Sequence, residues 1–379
     1  MKVSGAWLSR AGTQALLAAL EAAGHQALFV GGCVRNALLG VPVGDVDIAT
    51  DAAPGIVSNI AESAGFRVVP TGIEHGTVTV IAEGVPHEVT TFRRDVETFG
   101  RHATVAFSDR IEEDAARRDF TMNALYADRL GAVLDPLGGL ADLGPRRVRF
   151  VGDAETRIRE DYLRILRFFR FHAQYGDPAE GLDAEGLAAC AAHSAGIETL
   201  SRERIGAEMR KLLGARDPAP SVAAMAAAGV LARVLPGADP RALAPLVHLE
   251  GGEAPRWLRR LAVLGGEDAP DRLRLSKAEA RDLGALRAAL GATDLPAALG
   301  WRLGPDLAAD AVLARAASLE MPPADGWQAE VARGAGAKFP VKAADLAPLA
   351  GEALGARLKE VQAQWLAGGL RDGKDALLR

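Results

Sequence analysis

Cysteine is scarce in this sequence: Cys33 and Cys190 are the only two in 379 residues. Two thiols cannot build a disulfide framework or a four-cysteine zinc site, and such usage fits a reducing compartment. Aromatic residues reach only 5%, so the cores must be made mainly of Ala, Leu, Val and Ile. Long apolar runs are also lacking. The stretch 222–231 falls far short of the ~20 residues that span a bilayer. The opening Met1-Lys2-Val3-Ser4-Gly5-Ala6-Trp7 has no apolar signal-peptide core. A cytoplasmic protein with no membrane partner is therefore expected. Nor is positive charge in excess: the net charge is −5, which argues against nonspecific coating of nucleic acid. Local basic patches leave RNA binding open. Arg157, Arg159, Arg164, Arg167 and Arg170 form one, and Arg256, Arg259, Arg260, Arg272 and Arg274 another. The plain reading of each is a solvated helix face, and for the second cluster that is the expectation.

What is present is the balance of a globular protein, 49% hydrophobic and 25% charged, long enough for two to three domains at about 150 residues each. Up to residue 150 the chain carries short β-like runs: Ala27-Leu28-Phe29-Val30, Thr77-Val78-Thr79-Val80-Ile81, His87-Glu88-Val89-Thr90-Thr91 and Arg147-Val148-Arg149-Phe150. Gly, Pro and Asp turns separate them, and helical patterns alternate with them, such as 9–23 with Leu16, Leu17 and Leu20 on one face. Beyond Gly152 the β signal fades. Amphipathic helices are predicted over 154–172, 202–213, 220–234, 256–264 and 277–290. The expected organisation is an α/β head over 1–150, a helical neck over 151–215 and a helical body over 216–379.

Four stretches carry chemistry. In Phe29-Val30-Gly31-Gly32-Cys33-Val34-Arg35-Asn36 an apolar strand runs through two glycines into a helix. Such a turn lets backbone approach phosphate, and the helix start favours the anion; alone, it is as often only a turn. Gly44-Asp45-Val46-Asp47-Ile48 follows. A period of two places Asp45 and Asp47 on one face of a strand, with Val46 and Ile48 turned to the core. Carboxylates that close repel, and a hard cation such as Mg²⁺ reconciles them. An isolated Asp-x-Asp is usually a surface accident; its position ten residues after Arg35 makes it more specific. Glu88, in another strand-like run, is either a third carboxylate for two-metal phosphoryl transfer or a strand-surface glutamate.

The third stretch is Arg117-Arg118-Asp119-Phe120-Thr121-Met122-Asn123 with Asp135-Pro136-Leu137-Gly138-Gly139 after it. Asp119 is placed to cap a short helix, and the Arg118 fork suits phosphate or ribose oxygens; the plain alternative is an Arg-Asp ion pair at a helix start. In the fourth, Asp161, Arg164 and Arg167 are three apart and would share a helix face, with Ile158, Tyr162, Ile165 and Phe169 packed inward. The plain alternative is an amphipathic helix with surface ion pairs. Residues 93–109, with Gly100 and few large apolar residues, read as a mobile loop beside the site.

Together and in this order, these stretches resemble the class II tRNA nucleotidyltransferase and bacterial poly(A) polymerase family, within the polymerase β-like superfamily. Ser201-Arg202-Glu203-Arg204-Ile205 with Glu208 and Lys211-Leu212-Leu213 is similar to the family's neck. The resemblance covers residues 27–213. One departure is Asn36, where the family commonly has Asp. No His-Asp dipeptide occurs, so the phosphohydrolase domain appended in some relatives is not expected. The resemblance implies an α+β head, a polymerase β-like sheet with flanking helices, followed by an all-α neck and body. It implies that Asp45 and Asp47 hold Mg²⁺, that Gly31, Gly32 and Arg35 meet the triphosphate, and that Arg118 and Asp119 serve the ribose or phosphates. It implies that Asp161 and Arg164 read the base and that Arg167 and Arg170 help bind nucleotide. The implied reaction is template-independent addition of C, C and A to the 3′ end of tRNA from CTP and ATP. Poly(A) polymerase, CC-adding and A-adding enzymes are rivals within the class, and an inactive RNA-binding homologue is one outside it.

Overall fold

The computed structural model describes all 379 residues except Thr71, Gly100 and Arg101. The chain divides into two compact units, Met1–Thr199 and Leu200–Arg379. The first runs α1 (Ala6–Ser9), α2 (Ala11–Ala22), β1 (Ala27–Val30), α3 (Gly32–Leu39), β2 (Ile48–Thr50), α4 (Pro54–Ser63), β3 (Arg67–Val69), β4 (Thr77–Ala82) and β5 (Val85–Thr91). It continues with β6 (Arg93–Phe99), β7 (His102–Phe107), α5 (Ile111–Ala116), β8 (Tyr126–Ala127), β9 (Val133–Leu134), α6 (Leu140–Leu143), α7 (Ala154–Glu160), α8 (Leu163–Tyr175) and α9 (Ala184–Ala192).

Seven strands form one mixed sheet in the order β3-β4-β5-β2-β1-β8-β9. β1 is central and buried at all four positions, which is why it reads as a continuous apolar run. β2 pairs antiparallel with β1 and parallel with β5, Ile48 opposite Val89. β5 alternates: His87 and Val89 turn inward, Pro86 and Glu88 outward, as a half-covered strand requires. The wholly buried Leu16, Leu17 and Leu20 of α2 supply the opposing apolar stripe. One group of aromatics gathers around α8: Phe120 lies 5.0 Å from Phe150 and 4.9 Å from Phe171, and Phe150 stacks on Phe168 at 5.5 Å.

Three expectations are corrected here. Residues 93–109, expected as a loop, contain a two-stranded ribbon, β6 paired antiparallel with β7. Val96, Thr98, Phe99, Thr104 and Val105 are β-formers, and a ribbon outside the main sheet needs no apolar face to mark it. Gly100 lies outside the described residues. The run 147–150 is not a strand: Phe150 makes one isolated bridge with Phe120, and burial of Val148 and Phe150 explains its apolar pattern. The single helix expected over 154–172 is two, α7 and α8, parted at Asp161 and Tyr162.

In the second unit the described residues are helical: α10 (Arg202–Leu213), α11 (Ala219–Ala227), α12 (Val230–Val234), α13 (Leu243–Leu249), α14 (Trp257–Leu264), α15 (Ala269–Arg272), α16 (Lys277–Leu290), α17 (Pro296–Leu303), α18 (Pro305–Ser318), α19 (Trp327–Ala335), α20 (Gly351–Ala367) and α21 (Lys374–Leu377). α17 and α19 touch through Gly300 and Gly334, where a Cβ would collide with the facing backbone. The solvated face expected of the second arginine cluster holds for Arg256 and Arg274, which are exposed, and fails for Arg259 and Arg260. Arg259 and Arg260 are each 1% exposed, the first 2.8 Å from Glu250 and 3.2 Å from Asp310, the second 2.6 Å from Glu250. Charges this deep stay charged only when paired, so these two arginines hold the unit together.

Candidate active site

β1 ends in Gly31, whose φ of 69° is left-handed and suits glycine. Its N–H bonds Leu125 O at 2.9 Å, and its own carbonyl receives Arg35 N–H at 2.9 Å, starting α3. No side chain caps α3, so its first N–H groups are left for an anion. A Cβ on Gly31 would stand 3.5 Å from Arg118 Nη1 and 3.6 Å from Asn123 O, which puts the turn beside the Arg117-Arg118-Asp119 stretch.

Asp45 and Asp47 precede β2, outside helix and strand, rather than lying within the strand. The expected alternation holds: Val46 and Ile48 are buried, Asp45 is exposed and Asp47 half-buried. Asp47 O accepts Val30 N–H at 3.1 Å, tying the segment to β1. The Asp47 carboxyl is pushed up to about 6 by burial and by the negative charges of Glu88 and Asp45, while Arg118 pulls it down. Glu88 on β5 thus lies close enough to Asp47 to be felt, as the parallel β2–β5 register places it. Asp47 feels the negative charge of both neighbours, and three carboxylates this close form a hard-oxygen set for a cation. No group of three or more His, Cys, Asp or Glu side chains stands ready to enclose a metal among the described residues. A Mg²⁺ held by two carboxylates and completed by substrate phosphates fits these residues.

Arg118 does not pair with its neighbour Asp119. Its Nη2 donates to Asp114 Oδ2 at 2.9 Å and its Nε to Tyr126 OH at 3.1 Å. Arg117 also bonds Asp114, at 2.7 Å, and Tyr126 OH donates to it at 2.6 Å. Burial raises the Asp114 carboxyl, but Arg118 and Arg117 outweigh it and hold it at about 2. Asp119 accepts from Phe120 N–H at 2.9 Å and from Asn123 Nδ2 at 2.8 Å, so it does brace the turn that follows. Its other oxygen takes Arg167 Nε at 2.7 Å. Burial pushes Asp119 up, and Arg167 with Asn123 holds it below the usual carboxylate range. Asp135 accepts from Gly139 and Leu140 N–H at 2.7 and 3.0 Å, a turn that presses Gly139 on Thr121.

Arg35, only 6% exposed, is a strut within the head. It bonds Asn123, Asn36 at 2.9 Å and Tyr175 OH at 2.9 Å, and lies 4.0 Å over the Tyr175 ring. Asn36 turns its amide to Pro42 O at 2.9 Å, a bond that an ionised Asp could not donate. Arg35, Arg167 and Arg170 all face the Phe171 ring, at 5.2, 5.3 and 4.5 Å.

Asp161 does not share a helix with Arg164. It ends α7 in extended conformation, φ −154° and ψ 106°, and its Oδ1 accepts Leu163 N–H at 3.1 Å as α8 begins. Arg164 N–H still bonds Asp161 O at 3.0 Å, so the two stay adjacent. The Arg164 guanidinium bonds Glu160, Arg157 O at 2.8 Å and Arg117 O at 3.3 Å.

Asp114, Asn123, Tyr126, Tyr175 and His87 were not singled out from sequence. For Asp114 the signal existed: it lies three and four residues before Arg117 and Arg118, on one helix face. For Tyr175 and His87 none did, because their partners are remote in the chain.

The head topology with this Asp-x-Asp beside a glycine turn, followed by a helical body, is that of a polymerase β-like nucleotidyltransferase. Residues 27–149 match the poly A polymerase head domain, and 182–241 the "probable RNA and SrmB- binding site of polymerase A". The fold matches the Bacillus stearothermophilus CCA-adding enzyme in complex with CTP, with a TM-score of 0.72 and 32% identity over 94% of this chain and 92% of that one. The CCA-adding enzyme of Geobacillus thermodenitrificans is 42% identical over 241 residues, 63% of this chain and 54% of that protein. The mitochondrial CCA tRNA nucleotidyltransferase 1 of Mus musculus is 44% identical over 190 residues, 50% of this chain and 44% of that protein. The chain spans about half the length of the curated relatives it matches. It belongs to the class II tRNA nucleotidyltransferase and bacterial poly(A) polymerase family. No helix among the described residues is long and apolar enough to cross a membrane.

Proposed function

We propose that this protein adds C, C and A in turn to the 3′ end of tRNA, using CTP and ATP and releasing pyrophosphate, as a cytoplasmic enzyme with Mg²⁺ as its cofactor. The observation that carries this reading is the mutual charge of Asp47, Glu88 and Asp45 beside the uncapped start of α3. Mg²⁺ on Asp45 and Asp47 would supply the positive charge that lowers the pKa of the attacking 3′-hydroxyl and neutralises the leaving group. The chain's own residues position the reactants, which is most of what phosphoryl transfer asks of a protein. Gly31 and Gly32 let the triphosphate approach the α3 N–H groups. Arg118, held by Asp114 and Tyr126, addresses ribose or phosphate, and Arg35, Arg167 and Arg170 shape the floor around Phe171.

Base choice falls to Asp161 and Arg164. Cytosine presents its N4 amino donor beside the N3 acceptor, and adenine its N6 donor beside N1. An ionised carboxylate only accepts and a guanidinium only donates, so the pair complements both, whereas uracil and guanine present the reverse order. Arg164 already spends three of its five N–H groups on Glu160, Arg157 and Arg117, leaving Nε–H and one Nη2–H for a base. In this reading residues 1–150 catalyse, 151–215 read the base and 216–379 bind tRNA. Purified protein given tRNA ending before, within and after CC, with each NTP alone, tests it. Two cytidines and one adenosine, then arrest, is the expected product. Unlimited adenosine addition without CTP would make it a poly(A) polymerase, and no addition from any NTP would overturn the reading.

A further inference from the structure

We propose that His87 is a positioning residue for the segment 45–47, bridging α2 to the carbonyl of Val46 and so setting the stance of Asp45 and Asp47. This rests on the reading of those two carboxylates as the cation site.

Residues 41–47 lie outside helix and strand, so their hold must come from individual bonds. At one end Val41 N–H bonds Asn36 O at 3.0 Å, and at the other Asp47 O takes Val30 N–H at 3.1 Å. Between them His87 Nδ1 lies 3.2 Å from Val46 O, and the Val46 side chain is buried. Val46 is therefore gripped by backbone and side chain between two carboxylates that repel. A carbonyl only accepts, so Nδ1 carries the hydrogen, and Nε2 then accepts from Thr13 Oγ1 at 3.1 Å. Thr13 is 1% exposed and the His87 residue wholly buried, so no solvent water stands in for either partner. α2 gives the bridge a firm abutment: beside Thr13, a Cβ on Gly12 would come within 3.1 Å of the Ala82 backbone at the end of β4. The alternation of β5 does the rest. Glu88 turns outward beside Asp47, while His87 turns inward beneath Val46, so one strand register sets the third carboxylate and supports the other two.

Such outer supports of a metal site change metal affinity or activity by roughly 10–100-fold when removed. Mn²⁺ alone is titrated into the full chain by EPR, and kcat and KM for CTP addition are measured in Mg²⁺, for wild type, His87→Phe, His87→Asn, Thr13→Val and Asp47→Ala, each checked for folding by circular dichroism. His87→Phe should weaken Mn²⁺ binding about tenfold and lower kcat about tenfold, with KM for CTP moved less than about threefold. In His87→Asn the amide N–H stands in for Nδ1–H, so Mn²⁺ binding should return to within about threefold of wild type. Thr13→Val should fall between, and decides the matter if His87→Phe fails to fold: Mn²⁺ binding weakened by at least about threefold supports the bridge, and unchanged binding overturns it. A folded His87→Phe with wild-type Mn²⁺ affinity and kcat also overturns it. Asp47→Ala separates the two readings. If it too keeps Mn²⁺, the cation site itself is misplaced; if it loses Mn²⁺ while His87→Phe keeps it, only the role of His87 falls.

Discussion

Replacing Asp114 by Asn keeps the shape of a buried side chain and removes its charge. Asp114 is 1% exposed and receives Arg117, Arg118 and the Tyr126 hydroxyl. Its carboxyl is held at about 2 against an ordinary 3.8, a gap worth roughly 2–3 kcal/mol of folding stability at neutral pH. Removing one partner of a buried ion pair costs about 3–5 kcal/mol, so a loss near 3 kcal/mol is expected for Asp114→Asn. A carboxylate whose pKa is depressed by folding stabilises above its unfolded pKa and loses that contribution as pH falls toward the folded value. The advantage of wild type over the variant should thus be full above about pH 5, smaller by about 1 kcal/mol at pH 3 and largely gone near pH 2. Urea denaturation of the full chain, followed by circular dichroism from pH 7 to pH 3, reads this directly. Arg118 would lose its charged partner and be held by Tyr126 and at most one neutral amide oxygen, so kcat/KM for CTP addition by the folded variant should fall about tenfold. A stability gap that is near zero at pH 7, or that stays constant down to pH 3, would refute the account of Asp114.

Asp45→Ala and Asp47→Ala should each lower turnover at least about a hundredfold with the fold intact by circular dichroism; near-normal turnover in either removes the metal assignment. Affinity for tRNA, read by filter binding, should fall steeply from low to moderate salt as phosphate contacts release counterions. Its contacts must come from exposed side chains such as Arg216, Arg241 and Arg281, since Arg259 and Arg260 are buried; a flat salt response speaks against a phosphate-led interface. Shortening the β6–β7 ribbon should leave cytidine addition working and depress adenosine addition, and equal loss of both would mark the ribbon as a general structural part. Asp161→Ala should make UTP and GTP relatively better substrates, because an unmatched polar group in a closed pocket costs about 1–3 kcal/mol; an unchanged ranking and rate would end the template idea.

What could be read in advance was local. β1, α10 and α16 occupy the residues their patterns mark, because periodicity and the Ser276–Glu279 capping box act within a few residues. The Asp45 and Asp47 alternation held for the same reason. The break before α8 was missed because the apolar spacing of Ile158, Ile165 and Phe169 runs straight through it. Its cue was Asp161 itself, a residue whose side chain favours bonding nearby backbone N–H over continuing a helix. The buried state of Arg259 and Arg260 had no local cue, since Glu250 reaches both from beyond the helix and Asp310 reaches Arg259 from another helix.

The same division explains why individual residues of the site were legible while their support was not. Gly31, Asp47 and Arg118 declare their chemistry by type and spacing. What braces the elements around them is a chain of contacts remote in sequence: Arg35 to Asn123, Asn123 to Asp119, Asp119 to Arg167, and Arg35 again to Tyr175. Each link is a charge-assisted bond or a side-chain amide bond, mostly out of solvent, where such bonds resist rearrangement most. Through them the glycine turn that would meet the triphosphate and the helix that would read the base are one hydrogen-bonded body. On the proposed reading, a base poorly matched at Asp161 and Arg164 would then also be a triphosphate poorly placed at α3, and selection at one end of the nucleotide would become a rate difference at the other without any further device.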